Sequence, residues 1–527
     1  MGGDSQLTGY ACGDNFVTHQ NKIPADIAAV FPYAKKDGSL YNRYKSYAVT
    51  NTLAWNLEGV TLTNVTNYNW NNNRWACACD FQSAGGSNWA TENSTWHAFS
   101  NELRAQTNYD GPVNLMAGLY YQKTKRTFSQ FIILANVEDS TQTPADRYVG
   151  TRKTSFTNGE TIAGFGQVTW KVIPAVELAG GVRYTHETKD SYFAQPYNNA
   201  AVTSIFRPAD AADGLGVVTA NQTFNDWSPE ATISWKPTDD VMIYGAFKTN
   251  YKSGGFSNGG INSNLSANPF DDLTFDPEKA RGFEAGIKTT LLDRQLRLNL
   301  GVYSYKYTNL QVDFFNSPIF AFQTLTADAR TKGVELEFEY APRSVQGLNV
   351  HGSLNYNRAR YTQFIGPCYA GQTPAEGCVF LNSSGAAPGV GQTALFQNLA
   401  GKPLSVAPSW TGTLGVGYDM PVGGSNLFGI SVDARYSGSY IASAFNQLDS
   451  RQGKYVNVDA SIRFGAEDGN WQVALIGKNL TNRFYVTGVV DGPSTGGGTG
   501  TPAGIHADQL GFGTLPRTVQ VQVTKSF

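Results

Sequence analysis

The residues in this 527-residue chain that could ligate a metal or move a proton are five histidines, five cysteines and a scatter of carboxylates. His19, His97, His186, His351 and His506 stand singly, without the HExxH or HxH spacing that brings two imidazoles onto one face, and they read as solvated or interior-facing side chains. Cys77 and Cys79 form a CxC, a spacing some metal sites use, but no matching Cys or His pair lies nearby. Cys368 and Cys378 bracket the polar segment CYAGQTPAEGC; a disulfide there suits an oxidising exterior, and two free thiols are the alternative. Five is odd, so one thiol is unpaired or joined outside the chain, and the partners of Cys12, Cys77 and Cys79 stay open. Asp271, Asp272, Asp276 and Glu278 could offer oxygens to calcium, with a solvated loop as the plainer reading. No GxSxG, Walker sequence or dinucleotide fingerprint lies between a strand and a helix, so neither catalysis nor a bound cofactor has support.

The elements that must carry these residues are constrained by composition. Lys and Arg number 40 against 42 Asp and Glu, and only 16% of residues are charged, which excludes a strongly basic nucleic-acid binder. With 56 glycines, 13% aromatics and 41% hydrophobic residues, the mixture fits neither a disordered tail nor a helical membrane protein. No run approaches the roughly 18 to 20 apolar residues of a spanning helix. The opening MGGDSQLTGYACGDN has no basic segment followed by an apolar core, so either the protein is cytosolic or its beginning lies upstream of Met1.

Period-two alternation marks the strands. Val334, Leu336, Phe338 and Tyr340 interleave with Glu335, Glu337 and Glu339, placing every apolar group on one face and every carboxylate on the other. The pattern returns at 430–436, with Asp433 and Arg435 on the polar face, at 456–464, with Asp459 and Arg463, and at 518–527, where Lys525 is the one misfit on the apolar face. Turn formers punctuate the chain at 56–59, 109–112, 173–175, 237–240, 292–295, 342–347, 422–425 and 466–469. Between these hairpins lie polar, Gly/Asn-rich stretches near 71–94, 127–159, 191–224, 253–279, 313–323, 364–403, 441–452 and 487–514.

Short and long connections alternate without exception, which is the habit of a membrane β-barrel with short periplasmic turns and long external loops. The strands run about ten residues or more, the length a tilted bilayer strand needs. A β-sandwich would have strands of about five or six residues and no sorting of loops by length. Eight hairpin turns and one final strand imply seventeen strands, an odd number for a bacterial single-chain barrel. The barrel is expected over 44–527, with 1–43 as an external loop or N-terminal remnant. The charges Glu335, Glu337, Glu339, Arg435 and Arg463 should line its wet interior.

From about residue 44 onward the chain resembles the TonB-dependent outer-membrane receptors. The residues that carry the resemblance are FDPEKARGFEAGIKTTLLDRQLRLNLGVYSYKYTNLQV (Phe275 to Val312), TKGVELEFEYAP (Thr331 to Pro342) and GKPLSVAPSWTGTLGVGY (Gly401 to Tyr418). They continue through YVNVDASIRF, WQVALIGKNLTNRFYV and the closing LPRTVQVQVTKSF. In that family Glu284, Lys288, Asn479, Leu480, Pro516 and Arg517 correspond to recurrent barrel features, and Asn482 departs from the Asp often found at its position. Terminal Phe527 resembles the signal read by the barrel-assembly machinery, a plain apolar strand end being the other reading.

The resemblance implies an all-β antiparallel transmembrane barrel, about 17 strands of a 22-stranded whole, lacking plug and TonB box. It implies a multi-pass protein of the bacterial outer membrane that contacts lipid and meets the TonB complex through the missing plug. Its expected role is TonB-energised uptake of a scarce solute, a ferric siderophore first; a passive porin-like channel or a receptor for a carbohydrate is the alternative. Relatives carry stretches similar to KSGGF, so Tyr251, Lys252 and Phe256 are candidate solute contacts, while an interfacial aromatic girdle explains the two aromatics equally well.

Overall fold

The computed structural model describes residue 16 and residues 20–79, 88–134, 138–199, 217–257, 273–316, 321–492 and 495–526. Seventeen long strands form one antiparallel sheet. They are β1 (Tyr41–Leu57), β2 (Val60–Ala78), β3 (Asn88–Thr107), β4 (Val113–Leu134), β5 (Val149–Ile173), β6 (Val176–Asn198), β7 (Val217–Thr238) and β8 (Val241–Lys252). Then come β9 (Glu278–Leu291), β10 (Leu296–Asn316), β11 (Ala321–Tyr340), β12 (Leu348–Gln363), β13 (Trp410–Val422), β14 (Asn426–Ser437), β15 (Tyr455–Ala466), β16 (Trp471–Lys478) and β17 (Thr518–Lys525). Each strand pairs with its neighbours in sequence, and among the described residues no pairing joins β1 to β17, so the wall is open at those edges.

All eight turn-former clusters close hairpins between these strands, and the long connections lie at the opposite end of the wall. The sheet separates two solvents. Val302, Val334, Tyr356 and Trp410 stand side by side across β10 to β13, with the last two rings 4.9 Å apart. Such side chains are exposed, Val521 of β17 to 70%, so the apolar groups form an outer belt rather than a core. A contiguous apolar surface of this extent needs lipid, and in lipid every strand must pair to satisfy its backbone.

The structure corrects the expected loop boundaries. Much of 71–94, 127–159, 191–224 and 313–323 is strand: β2 reaches Ala78, β4 Leu134, β6 Asn198 and β10 Asn316. Beyond the belt both faces meet polar surroundings, so alternation fades while the ladder of backbone hydrogen bonds continues. Asn-rich residues 71–73 pair residue for residue with Ser46, Lys45 and Tyr44, and Asn72 Nδ2 donates to Asn93 Oδ1 at 3.0 Å.

Ahead of β1, the short helix Ala25–Val30 folds onto the loop end of β2 to β5. Ile23, Ile27, Ala28 and Phe31 pack with Ala78, Trp89, Phe131 and Ile133. Trp89 Nε1 donates to the Asn21 carbonyl at 3.1 Å, and Thr91 Oγ1 to that of Pro32 at 2.7 Å. The chain leaves this cap through Gly38, where φ is +70° and a Cβ would lie 1.8 Å from the Ile23 carbonyl oxygen. Only glycine fits there.

Candidate functional site

The face opposite the apolar belt is wired with charge. Arg297 Nη1 lies 3.3 Å from Glu339 Oε2, His351 Nε2 3.2 Å from Asp433 Oδ1, and Lys478 Nζ 3.0 Å from Asp459 Oδ2. Arg463 Nη2 donates to Asp419 Oδ1 at 2.6 Å, and Lys248 meets Glu284 at 3.0 Å. These pairs stay partly exposed, so each contributes at most about 1 kcal/mol; their consequence is a hydrated, hydrogen-bonding inner surface. Glu335, Glu337, Arg435 and Arg463 share this face by register.

At the loop end, three connections interlock: 364–409, 438–454 and 479–517. Cys368 and Cys378 are joined in a disulfide, their Cα atoms 5.7 Å apart. His506 bridges the other two loops, Nδ1 lying 2.7 Å from Asp449 Oδ2 and Nε2 3.0 Å from Glu376 Oε1, with Tyr369 edge-on to the imidazole. Burial alone would lower the His506 pKa; the two carboxylates outweigh it and hold the imidazole above its ordinary value. Glu376 is held below the usual carboxylate range, first by the Thr373 amide. Asp491, accepting from the Ala370 amide at 2.8 Å, is raised by burial, and burial pushes Tyr369 up to about 12.

Single histidines carry no spacing signal, so this bridge was not readable in sequence: its partners lie 57 and 130 residues away. Of the candidate solute contacts, Tyr251 is half-buried at the end of β8 and Lys252 is exposed. Phe256 packs against a cluster of Phe193, Ala220 and Leu273. Between them Ser253 Oγ donates to Glu187 at 2.9 Å, and Lys189 Nζ donates to the Gly254 carbonyl at 2.8 Å. A Cβ on Gly254 would lie 2.3 Å from the Phe275 carbonyl oxygen, so the GG pair permits a close backbone crossing.

Cys77 and Cys79 form a second disulfide. Among the described residues no three His, Cys, Asp or Glu side chains group around a metal position. Asp276 is exposed, and Glu278 accepts from the Gln311 amide at 3.1 Å. Cys12, Asp271, Asp272 and Phe527 lie outside the described residues. Asn479, at φ +49°, donates to the carbonyls of Arg483 and Leu515, both at 3.0 Å, and so ties the end of β16 to the approach to β17. Asn482 Oδ1 accepts from the Arg517 amide at 3.0 Å, a bond that needs only a side-chain oxygen and explains why Asn serves there.

A wet charged face behind a lipid-facing belt, with long loops at one end only, is the layout the sequence resemblance implies. The family model described as TonB dependent receptor-like, beta-barrel, matches residues 6–480. The chain belongs to this family. As a TonB-dependent receptor barrel it is 24% identical over 403 residues to the pesticin receptor of Yersinia pestis, covering 76% of this chain and 49% of that protein. It is 29% identical over 222 residues to the ferrichrome outer membrane transporter/phage receptor of Escherichia coli (strain K12), covering 41% of this chain and 24% of that protein. The chain spans about half the length, or less, of these relatives. Among solved structures, the ferric yersiniabactin uptake receptor FyuA from Yersinia pestis superposes with a TM-score of 0.66 at 17% identity, over 92% of this chain and 61% of that one. The siderophore receptor PiuA from Acinetobacter baumannii gives 0.62 at 16%, over 92% and 64%. At these identities the likeness is one of fold.

Proposed function

We propose that this barrel serves TonB-energised uptake of a ferric siderophore across the bacterial outer membrane. The observation that carries the reading is the hydrated inner face, lined by the Arg297–Glu339, His351–Asp433 and Arg463–Asp419 pairs, lying beneath a cross-braced loop mouth. A polar chelate passes such a surface by exchanging water for fixed donors and acceptors, whereas an apolar lining would exact its full desolvation cost. Support for iron comes from relatives named for ferric yersiniabactin, ferric catecholate and ferric citrate, set against relatives named for copper and for metal-pseudopaline. Lys252, exposed at the rim, would meet an anionic chelate, with Tyr251 beside it. The working assembly includes outer-membrane lipid, the TonB complex reached through a plug, and the barrel-assembly machinery during biogenesis.

Deleting the gene in its host tests this reading. Uptake of radiolabelled ferric siderophore should fall, and wild-type uptake should be abolished by a protonophore. Unchanged iron uptake with a deficit in a carbohydrate would reassign the cargo; uptake insensitive to the protonophore would make the protein a passive channel.

A further inference from the structure

The inner face of β10 carries a file of rings. Tyr303, Tyr305 and Tyr307 alternate with Val302, Ser304 and Lys306, so the register that turns Val302 to lipid turns the three tyrosines inward. Alternate residues of a strand stand about 7 Å apart, within the range over which rings interact. The file lies flat. A Cβ on Gly282 of β9 would fall 2.4 Å from the Tyr305 ring, and one on Gly286 2.7 Å from the ring of Tyr244, so both rings rest on the wall over glycine. The Tyr303 hydroxyl donates to Asn357 Oδ1 at 3.2 Å and that of Tyr305 to Glu284, which ties the polar tips to the wall. All four tyrosines are half-buried, so ring surface stays open toward the interior.

At the loop end another ring tops this file. Phe445, from the 438–454 connection, sits edge-on to Phe314 of β10 with centroids 4.8 Å apart, and packs in one cluster with Tyr361, Phe364 and Leu399. Tyr307 and Leu310 join that cluster from β10. The Phe445 amide donates to Ser443 Oγ at 3.2 Å, and its carbonyl accepts from Gln397 Nε2 at 3.1 Å. The two residues that follow are held at a cost. Asn446 lies in the left-handed region at φ +56°, and Gln447 is 1% exposed with neither side-chain amide atom hydrogen-bonded. A buried amide without a partner is a standing penalty that water would remove.

We propose that the file binds the flat rings of an anionic aryl chelate, with catecholate or phenolate arms, and that Phe445 holds its outermost position in place of a ligand ring. The inference rests on the ferric-chelate reading and adds the chemistry of the chelating arms. An incoming ring replaces the apolar contact that Phe445 gives up, and lifting the loop returns the Gln447 amide to water. Anionic arms meet cations at the far end of the file, where Lys248 pairs with Glu284 and Lys288 stands 5.6 Å from the centre of the Tyr244 ring. A sugar fits worse, because its hydroxyls would shed water over the apolar cluster of Leu310, Phe314 and Tyr361. Hydroxamate arms are aliphatic and present no ring to the tyrosine faces.

The test is equilibrium dialysis of the full chain in detergent against iron(III) tris-catecholate, iron(III) tris-acetohydroxamate and maltohexaose, with hydrogen exchange read at 443–450. The catecholate should bind one-to-one and at least tenfold tighter than the hydroxamate, and exchange at 443–450 should quicken as it binds. The double variant Tyr305→Leu, Tyr307→Leu should weaken the catecholate tenfold or more. Tyr305→Phe with Tyr307→Phe should restore it, and Tyr356→Leu on the outer face should change nothing. Phe445→Ala should tighten it at least threefold by removing the competing ring, whereas a residue that only builds the loop would weaken binding or leave it alone. No catecholate binding, binding indifferent to the Leu pair, or binding that Phe445→Ala fails to tighten overturns the proposal. Should the Leu pair lose heat-modifiable gel migration, Phe445→Ala and the exchange response still decide. Hydroxamate held as tightly as catecholate sinks this inference alone; preference for maltohexaose over both iron complexes sinks the ferric reading with it.

Discussion

The two halves of the wall build their external ends by different means. In the first half the strands carry on past the lipid belt: β5 has 25 residues and β6 has 23, and their ladder keeps Asn158 opposite Asp190 well beyond the apolar rows. In the second half the strands shorten from β13 onward, to 12 residues in β15 and 8 in each of β16 and β17, and there the mouth is made of folded loops. Extended hairpins draw rigidity from local backbone pairing. Folded loops draw it from contacts between distant segments, so each brace carries more of the load.

The largest effect should follow from removing the covalent brace. The double substitution Cys368→Ser, Cys378→Ser opens a link between residues ten apart, which by loop-closure entropy costs the folded loop about 2 to 3 kcal/mol. Limited proteolysis should then cut within 364–409 much faster, with no change in the β4 to β7 hairpins. Cleavage rising equally in both halves would erase the distinction. His506→Ala should come next: it strips Glu376 and Asp449 of a shared partner, at about 1 kcal/mol given their exposure. Hydrogen exchange should accelerate at 448–452 and 374–378 together, since one imidazole holds both.

The same bridge should respond to pH, with a sign set by its two kinds of group. His506 has a raised pKa in the folded loops, so its contribution is full below the pKa of free imidazole and is lost as pH rises through the raised value. Glu376 has a lowered pKa, so its contribution is full above the free carboxylate value and is lost as pH falls through the lowered one. Exchange protection of the three-loop mouth should therefore peak in mildly acidic conditions and decline on both sides. The hairpins of the first half should show no matching profile, and His506→Gln should flatten the alkaline arm of the curve.

What the sequence made legible follows the same divide. Wherever a strand separates lipid from water, as in Val334 to Tyr340, alternation specifies strand, face and register at once, and turn formers such as Glu58–Gly59 mark the hairpins. Above the belt the alternation signal has no cause, so Asn71 to Asn73 reads as loop while the backbone continues as strand. The His506 bridge leaves no local trace, because it depends on three chain segments meeting only after the wall has formed. Strand register likewise sets Arg281, Lys306, Arg330 and Arg360 side by side across β9 to β12, although in the sequence they look like scattered charges.

The smallest effect should come from the extended hairpins. Phe156 of β5 and Tyr192 of β6 stack with centroids 5.1 Å apart and planes within 6°, on the outer face beyond the main apolar rows. Phe156→Ala should cost about 0.5 to 1.5 kcal/mol. Neighbouring ties remain, including Asn158 Nδ2 donating to Asp190 Oδ2 at 2.8 Å and ladder bonds on either side, so the loss should stay local. Hydrogen exchange should quicken only around 152–158 and 190–195, by less than the change His506→Ala produces in the loops. If the whole end of the β5–β6 hairpin melted instead, the extended strands would prove as dependent on single contacts as the folded mouth, and the contrast between the two halves would fail.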